Sequence, residues 1–277
     1  MHLQHTVTAP APPIWPSNLA AQGDWFAGIR PCLKQLAWQQ FPDLAAWDIA
    51  CTTLQPCNAA GAPIRFVVPA DNDAQGYEPR IADTGEVATR PNNWHDCFNA
   101  LVWLSWPRSK AALNALHMRE ISLQTGPQRS RARDAATLLD ESGLILAHSH
   151  DDVLDALYAR DWSTLFVEQR GAWGTRRKPL VFGHAVLEKA LSPYIGMVAK
   201  VVPLAVPASW FALGEAEQLA HLDEALAKNI AHGALSTPAS LPPMPLLGIP
   251  GWWPRQDAQF YADQHHFRPP LPTARPA

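Results

Sequence analysis

The stretch "NWHDCFNALVWLSWPRSKAALNALH", residues 93–117, decides how the chain reads. Its apolar residues fall into two helical rhythms either side of Pro107, a residue type suited to opening a helix. Asn93 is a good N-cap for the first helix, and Asp96 three residues on resembles a capping box. His95 and Asn99 are four apart and share a helix face. Lys110, Asn114 and His117 fall at i, i+4 and i+7, a continuous stripe on the second helix. A short link between helices favours antiparallel packing, which would bring the two polar sets together. A solvent-facing stripe suits Lys110, since lysine is usually exposed. His95 and Asn99 sit in an aromatic, apolar sequence, where buried polar groups need partners. Networks of this kind serve proton transfer, oxyanion support or substrate hydrogen bonding.

Bulk properties narrow the function classes. A length of 277 residues can bury a sizeable core, and 17% charged residues is an ordinary, low-charge globular composition. A net charge of −3 argues against a broad grip on nucleic acid or anionic lipid. The basic run "RSRARD" at 129–134 is too short to change that. No window approaches a membrane span, and the N-terminal residues lack a signal-peptide pattern. Cys32, Cys51, Cys57 and Cys97 show no zinc spacing and read as reduced thiols. The expectation is a cytoplasmic protein with a small-molecule ligand and no favoured cofactor.

Elsewhere, helical spacing runs over 24–40 and 42–55, with Pro42 in first-turn position, and returns at 151–160, 162–169, 184–191 and 215–232. "IRFVVPA" (64–70), "PLVFG" (179–183) and "MVAKVVPLAV" (197–206) read as strands. "YEPRIADTGEVATR" (77–90) alternates around Asp83-Thr84-Gly85 as a hairpin. "AATLLDESGLILAHS" (135–149) reads as another, pairing Leu138–Leu139 with Leu144–Leu146 and placing Gly143 at positive φ. The expected fold is α+β, a helix-rich single domain with a few short antiparallel strands and hairpins. Its domain is 23–235, after an irregular segment (1–22) and before a Pro- and aromatic-rich tail (236–277) docked on it.

Two further places carry chemistry. "LILAHSHDDVL" at 144–154 runs a strand into HxHxD, which resembles the metal box of the metallo-β-lactamase superfamily through His148, His150 and Asp152. The next histidine of that pattern is Val153 here, and the glycine-rich downstream loops are lacking. The competing account is a strand end followed by an N-cap at Asp151 or Asp152. In "VFGHAVLEK", 181–189, His184 and Glu188 are four apart, suiting metal ligation, a base with its orienting carboxylate, or a plain surface pair.

The long motif, followed by "LLDESG" and "GHAVLEK", resembles an uncharacterised bacterial family known by a domain-of-unknown-function number, 3025. The likeness runs from Trp25 to "FRPP" at 267–270 and implies one bacterial, cytosolic domain centred on the 93–117 signature. It brings no activity, cofactor or catalytic residue, and HxHxD lies outside its pattern.

The leading functional expectation is a small-molecule enzyme of hydrolytic type. His95 would be the general acid or base, Asp96 would orient it, and Lys110 and His117 would complete the catalytic set. Asn99, Asn114, His184 and Glu188 would bind substrate. The alternative is a non-catalytic ligand- or partner-binding protein. A third reading, a metal-dependent hydrolase or nuclease, rests on the H…N…N…H order.

Overall fold

Breaks in the helical rhythm mark where the chain turns. The structure, a computed structural model, describes residues 13–69 and 75–269. Residues 1–12 of the expected irregular segment and 270–277 of the tail lie outside them. Helical spacing over 24–40 resolves into a 3-10 turn and α1 (Arg30–Leu36), closed by Ala37 in the left-handed region. In α2 (Leu44–Leu54) the cap is Asp43, whose side chain accepts from Ala46 N, so Pro42 precedes the helix and does not open it.

The segment read as a hairpin over 77–90 is a helix and a strand. β1 (Arg65–Val67) and β2 (Glu86–Ala88) pair in parallel, and α3 (Tyr77–Thr84) lies between them in the chain. Pro79 is tolerated in the first turn of α3. Gly85, at φ +73°, ends α3 as a left-handed cap, so Thr84-Gly85 is helix-stop chemistry and not a hairpin turn.

The 93–117 stretch forms two helices, α4 (Trp94–Ser105) and α5 (Pro107–Ser122). Asn93 caps α4 by accepting from Asp96 N. From Asp96 to Ser105 every residue of α4 is buried. The connecting Trp106 is buried too, its indole N–H donating to Gly28 O. Trp15, Trp38, Phe41 and Trp94 pack edge and face against one another beside α4.

The segment over 135–149 is likewise not a hairpin: α6 (Arg131–Ser142) runs directly into β3 (Gly143–His148). Ala135, Ala136 and Leu139 are buried at i, i+1 and i+4, a helical period that outweighs the turn-like Asp-Glu-Ser-Gly. The chain continues through α7 (Asp152–Ala159), β4 (Arg177–Val181), α8 (His184–Lys189), β5 (Val198–Ala205), α9 (Glu215–Ala231), β6 (Pro243–Pro245) and α10 (Ala258–Tyr261). Four strands form a mixed sheet in the order β4-β3-β5-β6. β3 runs antiparallel to β4 and parallel to β5, and β5 runs antiparallel to β6. All six residues of β3 are buried, as expected of a strand covered on both faces. This is an α+β, helix-rich fold. On the far side, Asp223 of α9 accepts from Arg108 N and Ser109 N, capping α5 from outside its own chain segment.

Gly143 is extended (φ −73°) and not at positive φ. A side chain there would run into the Leu139 carbonyl and lie 2.6 Å from Leu139 Cδ1, because the strand leaves the helix without a loop. Gly143→Ala is therefore expected to cost about 1–3 kcal/mol through overpacking. Gly126→Ala, with nothing within 4 Å of the added methyl, is the near-neutral control. Urea midpoints of the two variants check this, and equal midpoints would refute the clash.

Candidate active site

Five helices deliver polar side chains to one cleft of about 450 Å³, some lining it and others (Lys110, Asn114 and Glu188) bonded to the side chains that do. α3 brings Tyr77 and Glu78; α4 brings His95 and Asn99; α5 brings Lys110, Asn114 and His117. The last turn of α6 brings Asp140 and Glu141, and α8 brings His184 and Glu188. The backbone permits this approach at two glycines. At Gly183, before α8, an added methyl would lie 2.6 Å from Glu141 O and Ser142 N and would meet Gly143 N. This one crossing, with glycine on both segments (Gly183 and Gly143), thus sets His184 beside Asp140 and Glu141.

At the open end His95 Nδ1 donates to Glu188 Oε2 at 3.1 Å. Its Nε2 lies 3.1 Å from His184 Nε2 and 3.9 Å from Glu141 Oε1. His184 Nε2 is 3.6 Å from the other Glu141 oxygen, and His184 Nδ1 faces Asp140 Oδ2 across 3.8 Å. Burial pushes the His184 pKa down to about 4, against the pull of Asp140, so its ring is neutral near pH 7. His95, Glu141 and Glu188 keep 33%, 41% and 42% of their side chains exposed, so this end meets solvent.

Further in, Lys110 Nζ donates to Asp140 Oδ1 at 2.5 Å and to Asn99 Oδ1 at 2.8 Å, and it lies over the Trp103 ring. Burial alone would raise the Asp140 pKa; Lys110 and His184 outweigh it and hold the carboxyl below its ordinary range. Asn99 Nδ2 donates to Tyr77 Oη. Asn114 Nδ2 donates to Glu78 Oε2 at 2.7 Å, and His117 Nε2 is 3.8 Å from Glu78 Oε1. Burial raises the Glu78 pKa to about 7 and lowers that of His117 to about 4.

Of the residues singled out in sequence, His95, Asn99, Lys110, Asn114, His117, His184 and Glu188 come together here. Lys110, Asn114 and His117 are buried and do not form a solvent-facing stripe. Asp96 lines the same cleft, yet its carboxylate binds Arg90 through the backbone N, Nε and the outer guanidinium nitrogen. It does not orient His95. Glu188 does, reaching across from α8 instead of pairing with His184 four residues earlier. His148, His150 and Asp152 do not converge on one point. The His148 ring contacts His150 O, Asp152 faces Arg177, and the set sits at the far end of β3 from Glu141. Sequence reasoning missed Tyr77, Glu78, Asp140 and Glu141, because the segments holding them read as hairpins. The helical period of Ala135, Ala136 and Leu139 was the signal that could have found Asp140 and Glu141.

The chain belongs to the family described as "Protein of unknown function (DUF3025)", whose model matches residues 64–270, a span holding every cleft residue named above. Comparison with curated proteins and with solved structures finds no match. Among the described residues no helix is long and apolar enough to cross a membrane.

The Glu78 shift sets a pH dependence. In the fold Glu78 holds its proton up to about pH 7, whereas the unfolded chain releases it near the ordinary value of 4.5. The folded state binds more protons between these values, so stability falls as pH rises through that window, by roughly 3 kcal/mol. His117 acts oppositely: its depressed folded pKa removes stability as pH falls from 6.5 towards 4. Glu78→Gln is therefore expected to raise the denaturation midpoint at pH 8 and to leave it nearly unchanged at pH 5. An equal or lower midpoint at pH 8 would show Glu78 to be ionised in the fold at no cost.

Proposed function

We propose that this protein is an enzyme that hydrolyses a small polar molecule in the cleft. The observation that carries the reading is the His95–His184 pair. Two ring nitrogens converge beside the Glu141 carboxylate at the solvent-open end, while Glu188 holds the outer nitrogen of His95. Such a convergence suits activation of water, the backing carboxylate fixing ring orientation. In the reaction a water O–H bond breaks and its oxygen bonds to the carbonyl carbon or phosphorus of an ester, amide or phosphoester. The C–O, C–N or P–O bond to the departing group breaks, and the water proton goes to that group. One water is consumed and no other reactant is required.

Water is favoured as nucleophile because the cleft supplies no activated thiol. Burial pushes the Cys32 thiol up to about 12 and Cys97 well above its ordinary value, and neither lines the cleft. The cleft volume suits a small ligand, and its inner wall of Tyr77, Glu78 and His117 offers hydrogen bonds to a polar one.

The test is turnover of chromogenic carboxyl esters, anilides and phosphoesters by the parent and by His95→Gln. The variant side chain keeps much of the size but cannot exchange a proton near pH 7. With His95 half-buried, its Tm is expected within a few degrees of the parent, and its turnover down about 100-fold or more. A folded His95→Gln protein with parental turnover would remove the cleft from the chemistry. A compound that raises the parent Tm without being hydrolysed would favour a ligand-binding protein.

A further inference from the structure

We propose that His95, His184 and Glu141 form a binding site for one first-row divalent cation of the zinc class. Among the described residues they are the one trio of His, Cys, Asp or Glu with ligand atoms all within 4.8 Å of one another. The two ring nitrogens are 3.1 Å apart, and His184 and His95 each face a different oxygen of Glu141, at 3.6 and 3.9 Å. Ligands held about 2.0–2.1 Å from a tetrahedral zinc ion stand roughly 3.3 Å apart, so these spacings bracket the requirement.

Hydrogen-bond bookkeeping points the same way. The carboxylate of Glu188 accepts from His95 Nδ1, which leaves a neutral His95 with its lone pair on Nε2. His184 Nδ1 is buried without a hydrogen-bond partner and faces the Asp140 carboxylate. If that nitrogen carries the ring proton, as a neighbouring carboxylate favours, both Nε2 lone pairs point at each other across 3.1 Å. A positive charge between them relieves that contact, as does the other His184 tautomer, whose Nε2–H would donate to His95 Nε2. A proton can serve, but a cation also engages Glu141 and uses Glu188 and Asp140 as the outer partners metal-bound histidines characteristically have. Two histidines and one carboxylate leave coordination positions open to solvent, the pattern of catalytic sites. Asp140 and Glu141 also stand at the C-terminal end of α6, where the helix dipole disfavours negative charge unless cations answer it.

Binding of the ion rests on this geometry alone. That it activates the attacking water rests on the hydrolytic reading. The experiment takes the untagged full chain, strips it with a chelator, and titrates it with ZnCl2 by calorimetry, with Co2+ absorption reporting coordination. One zinc per chain is expected, with Mg2+ unable to compete because it prefers oxygen ligands. His184 is buried, so the exposed ligands serve as the variants. Glu141→Gln and His95→Gln should each weaken binding about 100-fold or more, Glu188→Gln about 10- to 100-fold, and His150→Ala not at all. Absence of stoichiometric zinc binding by the folded parent overturns the proposal. So does parental affinity in both Glu141→Gln and His95→Gln, or loss of affinity in His150→Ala. Zinc bound as expected with no turnover of any ester, anilide or phosphoester upholds the ion and defeats the hydrolase. Full turnover by the chelated protein upholds the hydrolase and removes the ion from its chemistry, leaving zinc binding to be decided by the titration.

Discussion

The Lys110–Asp140 ion pair is the constraint on which the cleft depends. Lys110 is 3% exposed, so its charge has little water to lean on and must be met by protein. Asp140 meets it from α6 and Asn99 meets it from α4, so one side chain of α5 ties three helices at a single point. Pairs of this kind add little net stability over an apolar replacement, but removing one partner strands the other at a cost of about 3–5 kcal/mol. Their effect is on specificity: the helices have one mutual arrangement in which both charges are satisfied. The second oxygen of Asp140 faces His184, so the arrangement that satisfies Lys110 also fixes the ring at the open end.

The remaining supports act on the backbone. Asp223 caps α5 from α9, fixing the helix at its start, where Lys110 also acts, while Asn114 fixes its middle. Gly143 and Gly183 let the end of α6, the start of β3 and the turn into α8 share a space that a methyl group would fill. Functional groups held by packed helices and a buried strand keep their geometry better than groups on loops. Among the described residues, the polar groups delivered to the cleft by α3, α4, α5, α6 and α8 depend on no long loop.

Legibility from the sequence followed the range of the interaction. His95, Asn99, Lys110, Asn114 and His117 were readable because polar residues recur at helical spacing inside an apolar segment, a local signal. His184 and Glu188 were readable as a pair, yet their partner is His95, nearly a hundred positions away, and no local pattern encodes that crossing. Asp140 and Glu141 were hidden because Asp-Glu-Ser-Gly satisfies turn chemistry and helix-end chemistry equally well. Only the buried face of α6 distinguishes the two. The turn reading places Gly143 at positive φ, whereas its constraint in the fold is the nearness of Leu139 and not its dihedral angle. Parallel pairing of β3 with β5 joins strands more than fifty residues apart, so strand order was beyond local reading.

HxHxD and the His95–His184–Glu141 trio flank the same strand, and comparing them shows why spacing alone misleads. At the end of β3 the His148 ring is engaged by the His150 carbonyl, and Asp152 is drawn to Arg177, so the groups that a short motif would gather are committed elsewhere. Before the start of β3 the opposite holds. Each histidine has its outer nitrogen turned to a carboxylate and its inner nitrogen turned to the other ring, although His95, Glu141 and His184 come from three helices. Between about pH 4 and pH 7 burial keeps both Glu78 and His117 of the inner wall neutral, so they contribute hydrogen bonds without charge. On the proposed reading, charge selectivity in this cleft is therefore set at its open end, where a cation sits between two rings and three carboxylates.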